Sequence, residues 1–240
     1  FNAFGMVEWL RRTAREKGVE YVSNEVVDMA VEQNQVRNIA LRTGENIAVN
    51  NVVNAAGTRA AQVAKLAGIH VPIEARRRYT YVFEVDSLLA KDLPSTIDPT
   101  GVHFRSYGAR NYLAGCPPIG ADNAVDVDDF NFVQNAWEDK ILPIVSHRVP
   151  RFKSARVIDK WMGHYEFNTF DHNAIVGPHN DIGNFFFCVG FSGHGSQQAP
   201  ACGRAVSELI VHGNFKTLDL SALSYTRIPE GQPLTERAVI

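Results

Sequence analysis

Residues 190 to 195 read Gly-Phe-Ser-Gly-His-Gly, set between an apolar run at 185 to 189 and a helical pattern from Gln198 to His212. A buried strand that breaks into glycines and opens a helix leaves backbone N–H groups unpaired, and the helix dipole adds positive charge at the same end. The chemistry this offers is fixed stabilisation of negative charge on an electron-rich group above the turn. A glycine turn used only for packing reads the same way, so context must decide between the two.

Context comes from Val-Val-Asn-Ala-Ala-Gly at residues 52 to 57, where strand, small residues and helix follow in the same order. Small side chains there let a ligand approach the backbone closely. The G-x-G-x-x-G turn that holds a dinucleotide's pyrophosphate does not occur: Gly193-His194-Gly195 begins one, but Gln198 stands where the last glycine belongs. Other constellations are weaker. His164, His172 and His179 match no zinc-ligand spacing and have no paired cysteines, so no metal is expected. Ser192 lies near a histidine but lacks the G-x-S-x-G of a hydrolase nucleophile.

These two turns, with Arg-Arg-Arg-Tyr at 76 to 79, Asn-Thr-Phe-Asp at 168 to 171 and Ser-Gln-Gln-Ala-Pro at 196 to 200, carry a resemblance over nearly the whole chain. The sequence resembles FAD-dependent amine oxidoreductases of the D-amino-acid oxidase superfamily, in the branch of glycine oxidase, sarcosine oxidase and dimethylglycine dehydrogenase. The resemblance implies non-covalent FAD and hydride transfer from a secondary or tertiary amine or amino acid to the flavin. It places Gly193, His194, Gly195 and Ser196 against the pyrimidine edge of the flavin, Val26 at the adenine, and Ala55, Ala56 and Gly57 where chain and cofactor meet. The missing pyrophosphate turn implies that an amino-terminal FAD-binding portion lies outside these residues.

Three positions depart from the family. His164 stands about where monomeric sarcosine oxidase has the cysteine that bonds to flavin, so that linkage cannot form. Gln197 replaces a lysine associated with oxygen activation, which points to an electron-transfer protein or a quinone as acceptor rather than oxygen. Glu166 falls near the glycine oxidase arginine that binds the substrate carboxylate. Substrate contacts are expected on the middle β-rich segment: Arg105 for a carboxylate, and Tyr79, Tyr81 and His164 as an aromatic cage over the amine. Each tyrosine also fits ordinary strand packing, and Arg76, Arg77 and Arg78 read as a solvated strand edge. A reading from another class, a non-catalytic assembly or scaffold protein on a flavin fold, is favoured by Gln197 and Glu166 and opposed by the intact glycine turn.

The elements that must position these residues follow from periodicity. A helix is expected over 5 to 18, then an antiparallel meander through Val27 to Val31, Val36 to Leu41 and Ile47 to Val49, a strand at 51 to 55 and a helix at 58 to 67. Strands follow at 79 to 85, 102 to 105, 112 to 115 and 156 to 165, interrupted by a helix over 128 to 147 that Pro143 shortens or kinks. The fold class is α+β. Residues 1 to 72 and 172 to 240 read as the remainder of a flavin-binding α/β domain, and 73 to 171 as a substrate domain with a mixed, largely antiparallel sheet and flanking helices.

With 240 residues, 45% of them hydrophobic, the chain can bury a sizeable core. A net charge of −2, from 24 basic and 26 acidic residues, offers no field for nucleic acid. Three scattered cysteines fit a reducing compartment, and no run is long enough to span a membrane. The expected location is the cytoplasm, or the mitochondrial matrix in a eukaryote.

Overall fold

The computed structural model describes residues 2–132 and 135–237. The chain opens on α1 (Ala3–Glu16), capped by Asn2, whose side chain accepts from the N–H of Gly5 at 3.0 Å. The helix buries none of its residues and leaves Phe4, Val7, Trp9 and Leu10 exposed. β1 (Val26–Glu32), β2 (Gln35–Leu41) and β3 (Asn46–Ala48) form the antiparallel meander, in that order. β4 (Val52–Asn54) leads through a short turn into α2 (Ala60–Leu66), which Gly68 ends with φ +74°.

The middle of the chain builds a five-stranded antiparallel sheet. β5 (Ile73–Glu84) sits inside it, with β8 (Asn111–Cys116), β7 (His103–Tyr107) and β6 (Thr96–Ile97) in succession on one side. On the other side β9 (Arg156–Asn168) forms the edge. β5 begins six residues earlier than the apolar pattern alone indicates, because Arg76, Arg77 and Arg78 are strand residues paired with Tyr165, His164 and Gly163.

Of the long helix expected over 128 to 147, residues 133 and 134 lie outside the described residues, and the described part is shorter than expected. Helical structure begins near Ala136 with a wide π-helical turn over Trp137–Ile141 and continues as α3 (Leu142–Arg148). Upstream, Asp126 and Asp129 accept from the backbone N–H groups of Asp128 and Asn131 at 2.8 and 3.0 Å. Such side-chain bonds compete with a helix and favour turns. The wide turn lies just before Pro143, which has no N–H for the regular ladder.

The return of the chain gives β10 (Ile175–Pro178), β11 (Phe185–Val189) and α4 (Gly195–His212). β10 pairs antiparallel with β11, and β11 pairs parallel with β4, so among the described residues the mixed sheet is this one. One hydrophobic cluster gathers Tyr79, Tyr81, Phe83, Phe104, Trp137 and Phe152 under α3. A second joins the meander, α2 and β11 through Met29, Val36, Ala60, Ile73 and Phe185, and a third seats α4 on the β10–β11 hairpin. No helix among the described residues is long and apolar enough to cross a membrane. Cys116, Cys188 and Cys202 are free thiols, and burial pushes Cys116 up to about 11 and Cys188 up to about 12.

Candidate functional site

The parallel pairing of β4 with β11 places Asn54 opposite Phe187, so the two small-residue turns leave the sheet at the same end of adjacent strands. Neighbouring strands lie about 4.8 Å apart, and ligands of α/β sheets sit at the carboxyl ends of such strands. Adjacency of this kind is what a single ligand touching both turns requires.

The turn after β11 is held from behind. Gly190 has φ +77°, and a Cβ there would stand 3.3 Å from Ile73 and 3.4 Å from Asn168, so only glycine fits. Ser192, fully buried, carries a left-handed φ of 47° without being glycine. Its N–H donates to the Glu166 carbonyl at 3.0 Å, and its Oγ accepts from the Asn168 N–H at 3.0 Å. These bonds over-determine a conformation that otherwise costs about 1 kcal/mol or more. Gly193 takes φ +96°, with the Tyr165 ring 3.9 Å from where its Cβ would be. Gly195 is different: it is the first residue of α4 and lies outside the left-handed region.

His194 occupies the cap of α4 with no side-chain hydrogen bond; its carbonyl accepts from the N–H groups of Gln197 and Gln198 at 3.2 Å, and those of Gly195 and Ser196 stand at the open end of the helix. Ser196 and Gln197 are exposed on that first turn and bond to each other, Oγ to Oε1, at 2.8 Å.

The other turn borders an open groove of about 590 Å³. Val26, Ala55 and Ala56 line it together with Asn24, Glu25 and Gln62. Asn54, buried at the end of β4, braces the turn by donating to the Ala60 carbonyl at 2.9 Å and accepting from the Ala56 N–H at 3.2 Å. Gly57 then takes φ +57°. The groove is shallow, mostly apolar and open to backbone, which suits the flat, weakly polar face of an adenosine group. The glycine turn suits the electron-rich edge of a flavin ring. On both counts the residues present fit FAD.

The expected substrate residues do not gather in one place. Tyr79 and Tyr81 are each 1% exposed and pack on Phe132, with Tyr81 also against Trp137 at 5.6 Å. They are core residues, because Phe132 and Trp137 cover this stretch of β5. Burial pushes the Tyr81 hydroxyl up to about 12. Arg105 is exposed on β7, with its guanidinium 5.7 Å from the Tyr107 ring. The register puts Arg105 opposite Leu113 and hence level with Val82, six positions along β5 from the partner of Tyr165. At about 3.3 Å per residue that is roughly 20 Å from the glycine turn.

Glu166 is at the turn, but as support. Its carboxylate accepts from the Gly190 N–H at 2.8 Å and from Phe191, and burial outweighs these bonds to hold its pKa above the ordinary 4.5. His164 lies on the same face of β9, its ring 4.7 Å from that of Phe130.

Several residues that shape the site carry no sequence signal of their own. Asn54 bonds to Ala56 and Ala60, Asn168 to Phe170, Asp171 and Asn173, and Ser192 to Asn168 and Glu166, contacts that no motif announces. The arginine run read as a solvated edge is instead largely buried: the side chains of Arg76, Arg77 and Arg78 are 14, 15 and 16% exposed and pair with Glu74, Asp129 and Asp122. Among the described residues, no group of three or more His, Cys, Asp or Glu is placed to hold a metal ion.

Residues 1–209 match the family model described as "FAD dependent oxidoreductase" (DAO). A Xenopus laevis protein called FAD-dependent oxidoreductase domain-containing protein 1 is 34% identical over all of this chain and 54% of its own length. Human mitochondrial dimethylglycine dehydrogenase is 27% identical over 73% of this chain and 22% of its own. Among solved structures, L-proline dehydrogenase from P. horikoshii superposes with a TM-score of 0.81 at 22% identity, covering 92% of this chain and 58% of that one. Glycine oxidase from Geobacillus kaustophilus gives 0.69 at 20%, covering 86% and 53%. The chain thus spans about half the length of these FAD-dependent oxidoreductase domain-containing relatives. It belongs to the DAO family of FAD-dependent oxidoreductases.

Proposed function

We propose that the whole protein oxidises a secondary or tertiary amine or an amino acid, with FAD bound non-covalently. The observation that carries this is the pair of small-residue turns at the same end of the parallel strands β4 and β11. Bound FAD supplies the hydride acceptor. This chain's own residues do the rest: Val26, Ala55 and Ala56 hold the adenosine end, and the start of α4 meets the negative charge that reduction leaves on the ring. Glu166 and Ser192 keep that helix start in place. Residues 1–72 and 172–240 form the flavin-binding part and 73–171 the substrate part. Pyrophosphate and ribose contacts come from chain outside these 240 residues.

His164 offers no thiol for a covalent link, and neutral Gln197 provides no charge for oxygen reduction. We place the acceptor among electron-transfer proteins and quinones. The test is anaerobic mixing of the FAD-loaded whole protein with sarcosine, dimethylglycine, glycine and L-proline, followed by its flavin absorbance. Bleaching by at least one of them is expected, with slow recovery in air. Absence of flavin binding would favour the scaffold reading.

A further inference from the structure

On the face of the five-stranded sheet that carries His164, buried polar atoms stand without partners. Arg77 and His164 are direct partners across β5 and β9, so their side chains leave the sheet on the same side. The Nε–H of Arg77 is buried with no acceptor among the described residues, and Nε2 of His164 is buried and unpartnered in the same way. Buried polar atoms are almost always satisfied, so two adjacent empty ones need an explanation.

The guanidinium of Arg77 is half used. Its Nη2 donates to Asp129 Oδ2, while the neighbouring Nε, the other prong of the same fork, donates to nothing. Asp129 cannot fill both prongs, because its Oδ1 already accepts from the N–H and the side-chain amide of Asn131, at 3.0 and 2.7 Å. A carboxylate free to orient both oxygens would take both prongs, the geometry at which arginine binds carboxylates most strongly. The cover is superficial. Phe130, which follows Asp129 and lies over His164, is 63% exposed.

We infer that Arg77, with His164 beside it, is a carboxylate subsite that the chain's own Asp129 occupies until a ligand displaces it. Resting on the amine-oxidoreductase reading, the ligand is the carboxylate of an amino-acid substrate. This replaces Arg105, which stands far from the glycine turn. The subsite lies on the sheet face that also carries Glu166, two positions along β9, whose carboxylate holds the glycine turn.

The test titrates sodium acetate, against sodium chloride at equal ionic strength, into the whole protein labelled at histidine Cε1, with and without FAD. The readout is the His164 resonance. Asp129→Ala should tighten acetate binding by about tenfold or more, since removing an internal competitor raises apparent affinity by the inverse of the open fraction. Asp128→Ala, on the same segment but paired with Arg59, should leave it unchanged. Arg77→Met should abolish it, and Arg77→Lys, which keeps the charge but loses the fork, should do the same if the methionine variant fails to fold. Equal acetate affinity in the native protein and Asp129→Ala, or acetate binding that survives in Arg77→Lys, would overturn the assignment. Because the readout needs no flavin, failure of FAD binding would sink the functional reading alone, and an absent acetate response in a protein that amines reduce would sink the subsite alone.

Discussion

Asp171, buried just beyond β9, and Glu166, half-buried near its end, are carboxylates whose surroundings differ in kind. Asp171, 1% exposed, accepts from Arg227 Nε at 2.6 Å and Nη2 at 3.0 Å, from Asn168 Nδ2 at 3.0 Å and from the N–H groups of Asn173 and Leu234. A full positive charge and a filled set of donors surround it. Glu166 meets only backbone dipoles, at Gly190 and Phe191. The first arrangement fastens the carboxy-terminal segment to the β10 hairpin and needs an ionised carboxylate. The second holds a turn and tolerates either protonation state. Burial alone therefore does not mark a functional acid; the kind of partner separates the two.

The sharpest way to break the comparison is to remove the cation. Arg227→Met should leave Asp171 buried and unpaired, at a cost of about 3–5 kcal/mol, because the carboxylate loses its charge partner while staying out of water. Chemical denaturation measures it. A loss comparable to that of a surface substitution would show that water reaches Asp171 freely and that the knot is dispensable.

The glycine turn allows a finer cut. Gly193→Val forces a β-branched residue into φ +96° and should cost about 1–3 kcal/mol, with loss of FAD from the whole protein. Gly195→Ala should change stability by less than about 0.5 kcal/mol, since the position is helical and the new methyl would stand 3.5 Å from Phe191, an ordinary contact. Equal effects at the two positions would mean that the turn is read by its surroundings rather than by its backbone angles.

These contrasts show what the sequence can and cannot carry. The strands, the meander, α2, α4 and both small-residue turns are legible because periodicity and glycine placement are local properties. Val26 with Ala55 and Ala56 came from family resemblance, and the fold places them on one groove. The arginine run was misread because three consecutive charges look solvated, whereas their partners Asp122 and Asp129 lie far along the chain. The tyrosines on β5 could be either cage or core from sequence, and the segment that covers them decides for core. The helix over 128 to 147 was overextended because apolar spacing outweighed the Asx turns of Asp126 and Asp129. For the arginines and the tyrosines sequence lacked the identity of a distant partner; for the helix it lacked the outcome of a local competition between side-chain bonds and the helical ladder.

Glu166 gives the smallest effect and the clearest sign. Its folded-state pKa lies above the ordinary 4.5 because burial outweighs the two backbone bonds. Between the unfolded and the folded value the native state therefore binds more protons than the unfolded chain, and stability falls as pH rises through that window. Glu166→Gln cannot titrate. Its carbonyl can still accept from Gly190, but its amide faces a second N–H, so the variant should be less stable at low pH by about 1 kcal/mol. The gap between native protein and variant should then narrow as pH rises above the ordinary carboxylate value, which paired denaturation curves across that range will measure. A gap that widens instead would show that the ionised carboxylate stabilises the turn, placing Glu166 with Asp171 as an anion the fold requires and ending the distinction between them.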